Sequence, residues 1–85
     1  MRKQIKPAEY SKQADKFLDS LDKKTSQRIE DAIDKIPNVN CKPYQSDRNY
    51  LLLRVGDFRI VFRWLDDTQI IVNKIDNRGQ VYKKG

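Results

Sequence analysis

From Tyr50 to Arg63 the chain reads Tyr-Leu-Leu-Leu-Arg-Val-Gly-Asp-Phe-Arg-Ile-Val-Phe-Arg. Alternating apolar residues flank a Gly-Asp pair, which is the signature of a β-hairpin closed by a two-residue turn. A turn at Gly56-Asp57 sets the facing pairs at 55/58, 54/59, 53/60, 52/61, 51/62 and 50/63. One face then holds Val55, Phe58, Leu53, Ile60, Leu51 and Phe62, all apolar. The other holds Arg54 opposite Arg59, Leu52 opposite Val61, and Tyr50 opposite Arg63. Two arginines directly across a strand pair repel each other. A fold retains such a pair more readily when an anion sits between them. The hairpin therefore predicts one sheet face for a core and the other for a negatively charged ligand.

Upstream, the periodicity changes from two to that of a helix. Ala14, Phe17, Leu18 and Leu21 form one apolar stripe, which Tyr10 extends. Ile29, Ala32, Ile33 and Ile36 form a second. Ser20-Leu21-Asp22 breaks the two, with Asp22 placed to cap the second helix. Pro37 ends that helix by disfavouring a helical conformation at Ile36. Residues 2–6 predict a short opening strand, with Pro7 in the first turn of helix one. Residues 37–48 form a polar connection without a period, and a third strand runs from Gln69 to Ile75. A two-residue loop at Asp66-Asp67 would put Ile71 and Ile75 on the core face and Lys74 beside Arg59; a longer loop would bury Ile70 and Val72 instead. The shorter loop is the favoured expectation. The pattern predicts one α+β domain over residues 1–85, an antiparallel sheet with a helical hairpin packed on one face.

Composition narrows the partners. The 18 Lys/Arg against 12 Asp/Glu leave a formal charge of +6, with +2 in residues 1–40 and +4 in residues 41–85. A basic excess concentrated in the strands favours a polyanion or an acidic protein partner, although solubility alone also accounts for it. Cys41 is the only cysteine and histidine is absent, so no internal disulfide forms and neither a zinc nor a calcium site has support. No metal or other cofactor is expected. A bystander thiol is the plainer reading of Cys41. The basic N-terminus lacks a following apolar run, and no stretch has the length of a membrane span. A reducing, cytoplasmic location without membrane contact is the expectation.

Leu53-Arg54-Val55-Gly56-Asp57-Phe58-Arg59-Ile60-Val61-Phe62, Asn77-Arg78-Gly79-Gln80-Val81-Tyr82, and Phe17 to Lys24 followed by Arg28-Ile29 together resemble the RelE/ParE superfamily of toxins from toxin–antitoxin systems. The resemblance spans nearly the whole chain and is closer to the RelE-like branch. It implies a β-α-α-β-β-β architecture and a cognate antitoxin that wraps and neutralises the toxin. In RelE-like members it implies cleavage of messenger RNA in the ribosomal A site, where 16S ribosomal RNA contacts also arise. In ParE-like members the target is DNA gyrase, without nuclease chemistry. The family's functional positions match Arg54, Arg59, Arg78 and Tyr82. Many relatives carry a basic residue at the place of Leu52 and histidine at the place of Asn77.

Cleavage of RNA by its own 2′-hydroxyl requires alignment of that hydroxyl with phosphorus, stabilisation of phosphate charge, and proton movement. Arginine suits the second task because its planar fork grips phosphate oxygens and stays charged. The catalytic candidates are accordingly Arg59, facing Arg54, then Arg78 beside Gly79, and Tyr82 as a stacking or proton-accepting phenol. Arg63, Tyr50, Lys74, Lys83 and Lys84 are candidates for RNA or ribosome binding; solvation or an antitoxin contact is the plainer role for most of them. Three readings follow: a ribosome-dependent endoribonuclease, a gyrase inhibitor, and a decayed module that still binds an antitoxin.

Overall fold

The computed structural model describes residues 4–39, 41–44 and 49–77. Their element order is β1 (Glu9–Tyr10), α1 (Lys12–Asp19), α2 (Lys23–Asp34), β2 (Cys41–Pro43), β3 (Leu51–Val55), β4 (Phe58–Trp64) and β5 (Ile70–Asn77). The five strands form one sheet in the order β1-β5-β4-β3-β2. Pairing is antiparallel except between β1 and β5, which run parallel. The sheet is therefore mixed rather than wholly antiparallel.

The hairpin has the register its alternation predicts, from Leu51 opposite Phe62 to Val55 opposite Phe58. Gly56 takes φ 59° and no other described residue has a positive φ, which is the type II′ pattern. An L side chain at that position would be strained. The second helix also starts where the sequence places it, and it ends at Asp34, two residues before Ile36. Asp22 accepts a hydrogen bond from the Thr25 N–H at 3.2 Å and another from its hydroxyl at 2.7 Å. These bonds, the hydroxyl's first, hold the Asp22 carboxyl below its usual value. Three residues separate the helices, and both apolar stripes face the sheet. Ala14, Leu18, Ile29, Ile33 and Ile36 are buried against Leu53, Ile60 and Phe62. At the hairpin end Phe17 meets Phe58 edge to face, with ring centroids 6.0 Å apart.

Three further expectations are corrected. The opening strand lies at Glu9–Tyr10, not at residues 2–6. Ile5 and Lys6 instead donate to the Thr68 carbonyl, in the loop before β5. Pro7 has no N–H to offer a ladder, and the extended conformation of Ser11 carries the strand straight into α1. Helix one thus begins at Lys12, capped by Ser11, and Tyr10 packs on the core from a strand. Secondly, the polar connection contains β2, whose Lys42 faces Leu52 and whose Pro43 faces Leu51. Proline is tolerated there because β2 is an edge strand.

The third correction concerns β5. Trp64 pairs with Ile70, so the loop is longer than two residues. Ile70 and Val72 are fully buried and Ile71 is not. Yet Ile75 is fully buried as well, which strict alternation from Val72 forbids. A β-bulge resolves the conflict: Phe62 faces Val72 and Val61 faces Lys74, leaving Asn73 as the extra residue. Residues on the α1 side hold that bulge. The Ser11 hydroxyl donates to the Asn73 carbonyl at 2.7 Å, and the Ser11 N–H donates to the Val72 carbonyl. The Gln13 amide then donates to the Ile75 carbonyl and accepts from its N–H, doing for β5 what a longer β1 would do.

Candidate nucleic-acid interface

The helices cover one face of the sheet, so the cations sit on the other. Three cross-strand rows organise this open face. The row nearest the turn is Arg54–Arg59–Asp76. The next is Lys42–Leu52–Val61–Lys74, with bulged Asn73 beside its end. The third holds Tyr50 and Arg63, the latter facing Ile71. Arg54 and Arg59 are both exposed on this face, as the sequence predicts.

The anion next to Arg59 is supplied by the chain itself. Arg59 Nε and Nη2 donate to the two Asp76 carboxylate oxygens at 3.0 and 3.2 Å, a bidentate fork. That hydrogen bond, then the Asp76 charge, raises the Arg59 pKa further. The fork uses two of five guanidinium N–H donors, so it fixes the plane of Arg59 and leaves the remaining edge for a second anion. With side chains 45% and 31% exposed, the pair contributes at most about 1 kcal/mol. Lys74 Nζ lies 3.9 Å from the same carboxylate. Lys74 was expected directly beside Arg59; Asp76 takes that place because of the bulge. Without the extra residue at Asn73, Ile75 would face Arg59 and the ion pair would not form.

Next to this row lies a hollow of about 310 Å³ bounded by Tyr44, Tyr50, Val61, Asn73 and Lys74. Val61, only 6% exposed, is its apolar floor. The Tyr44 N–H donates to the Tyr50 carbonyl at 2.9 Å, which brings the two tyrosines together at the end of the β2–β3 pair. Nothing in the local sequence marks Asp76, Tyr44 or Asn73 as site residues. Their places depend on the bulge and on β2, neither of which has a local sequence signal. Arg78, Tyr82, Lys83 and Lys84 lie outside the described residues.

The remaining chemistry is plain. Cys41 is half-buried, and burial pushes its thiol pKa up, away from a reactive thiolate. Among the described residues no group of His, Cys, Asp or Glu is placed to hold a metal ion. No helix among them is long and apolar enough to cross a membrane.

Fold and site together define a class: a small basic α+β protein whose helix-free sheet face presents organised arginines. Solved structures share that fold, among them chains of two toxin–antitoxin complexes. One is a chain of the RelB–RelE antitoxin–toxin complex from Methanococcus jannaschii, at 24% identity and TM-score 0.66, covering 89% of this chain and 96% of that one. The other is a chain of the RelBE2 toxin–antitoxin complex from Mycobacterium tuberculosis, at 20% identity and TM-score 0.56, covering 84% and 95%. The comparison with curated proteins finds no significant match. The model of the ParE toxin of type II toxin–antitoxin systems matches residues 8–82, and this chain belongs to that family, within the RelE/ParE superfamily.

Proposed function

We propose that this toxin is a ribosome-dependent endoribonuclease that cuts messenger RNA in the A site, with a cognate antitoxin as its regulator. The observation that carries the reading is Arg59, held in plane by Asp76 beside Arg54 on a face the helices leave open. A scissile phosphate is the natural ligand for the remaining edge of that guanidinium. In the reaction the RNA 2′-hydroxyl attacks the adjacent phosphorus as the bond to the 5′-oxygen breaks. The products are a cyclic phosphate and a free 5′-hydroxyl; one proton leaves the nucleophile and one reaches the leaving oxygen. Arg59 and Arg54 stabilise the charge on the phosphoryl oxygens. The family resemblance gives Arg78 and Tyr82 the neighbouring roles. Message alignment by the ribosome supplies much of the rate, since positioning is worth about 7–11 kcal/mol.

The test is 5′-end mapping of messages on translating ribosomes. Wild-type protein yields cuts within codons, and Arg59→Ala lowers the rate by about 10²–10³-fold. Undiminished cutting by that variant removes Arg59 from the site. The family description and the apolar Leu52 favour a second reading, gyrase inhibition without RNA cleavage. Intact messages together with blocked supercoiling select it. Growth unaffected by induction without antitoxin selects a decayed module instead.

A further inference from the structure

The geometry points to the hollow formed by Tyr44, Tyr50, Val61, Asn73 and Lys74 as a subsite for one base of single-stranded RNA, next to the phosphate at Arg59. This inference rests on the RNA reading above and adds a base contact to it. The hollow combines the three components that base recognition uses. Tyr44 and Tyr50 supply aromatic surface at its edge, and the nearly buried Val61 supplies an apolar floor. Asn73 supplies an amide, with one acceptor and two donors, for the edge of a base. The bulge puts this amide and the Lys74 ammonium side by side at the same wall.

Size and charge favour a nucleotide over a protein side chain. A volume of about 310 Å³ is at the lower end of ligand clefts, suited to a single flat ring system. Lys74 lines the hollow, and Arg59, Arg63 and Lys42 occupy the same or adjoining rows, so a backbone entering from any side meets cations. Arg59 and the hollow are neighbours: Val61 and Lys74 form the row next to Arg59 and Asp76, and Lys74 Nζ lies 3.9 Å from the Asp76 carboxylate that Arg59 holds. One nucleotide can thus place its phosphate on the Arg54–Arg59 row and its neighbour's base against the tyrosines. Stacking tolerates any base, and the Asn73 amide adds a preference among them.

The test measures binding without cleavage, using a short fluorescein-labelled 2′-O-methyl RNA whose bases are removed one position at a time. Fluorescence anisotropy with wild-type protein should show about a tenfold loss of affinity at one abasic position. That loss should vanish in Tyr50→Ala and in Tyr44→Ala, each of which binds the intact oligomer about tenfold more weakly. Tyr50→Phe, which keeps the ring, should bind within about twofold of wild type, which separates stacking from misfolding. The salt dependence separates base from phosphate: the slope should be unchanged in Tyr50→Ala and reduced by about 0.7 in Arg59→Ala. Wild-type affinity in both alanine variants overturns the subsite, as does failure of wild-type protein to bind the oligomer. Ribosomal cuts with no base effect leave the nuclease reading standing and the subsite fallen. A base effect without ribosomal cuts does the reverse.

Discussion

The two faces of the sheet are made by the same three strands and stabilised in different ways. Leu53, Ile60, Phe62 and Ile75 on the covered face are almost wholly removed from water. On the open face Arg54, Arg59 and Lys74 stay exposed, and Asp76, the partner of Arg59 and Lys74, is only half-buried. Burial of apolar surface contributes about 25 cal/mol per Å², whereas an exposed ion pair contributes under about 1 kcal/mol. One face therefore holds the fold together. The other is free to be shaped for a ligand, because little stability depends on it.

The sharpest test of this division is Phe62→Ala against Arg59→Ala. Phe62 is fully buried, so its truncation should cost about 3–5 kcal/mol in urea denaturation, much of a small domain's stability. Arg59→Ala should change stability by less than about 1 kcal/mol while lowering the cleavage rate by about 10²–10³-fold. Comparable costs at the two positions would end the distinction. Ser11→Ala probes the element that joins the faces, since Ser11 caps α1 and binds the bulge carbonyl. About 1 kcal/mol is expected, seen as a fall of about 4–8 °C in Tm. An unchanged Tm would mean that the bulge holds itself.

The smallest effect should appear only in alkali. Tyr10 packs at the rim of the core, where burial and then the Glu30, Asp34 and Asp15 carboxylates push its pKa up to about 12. The folded state keeps the Tyr10 proton to higher pH than the unfolded chain, whose tyrosine titrates near about 10. The stabilisation is fully present below about pH 10 and is lost as pH rises through about 12. Tyr10→Phe should therefore show a shallower fall in urea midpoint across that interval than wild type. Parallel profiles would take Tyr10 out of the alkaline transition.

Much of the architecture was legible locally. The Gly56-Asp57 turn, the Asp22 cap and the two apolar stripes each depend on residues within a few positions, and each stands where it was expected. The pairing of Arg54 with Arg59 follows from the hairpin turn alone. Its meaning did not. The repulsion that pointed to an external anion is offset from within by Asp76 on the next strand. The open face also contains a tyrosine pair that depends on β2, a strand of three residues with no period of its own.

What the sequence determined by itself was the hairpin, its sorting of apolar from charged side chains, and the helices that cover the apolar side. Those features arise from side-chain alternation and near-neighbour hydrogen bonds, which a linear chain carries in plain order. The tertiary structure decided which residue meets Arg59 and where the hollow forms. Both turn on one extra residue at Asn73, held in place by Ser11 and Gln13 from 62 positions away. A bulge shifts every later side chain to the opposite face, and only contacts distant in sequence select its position.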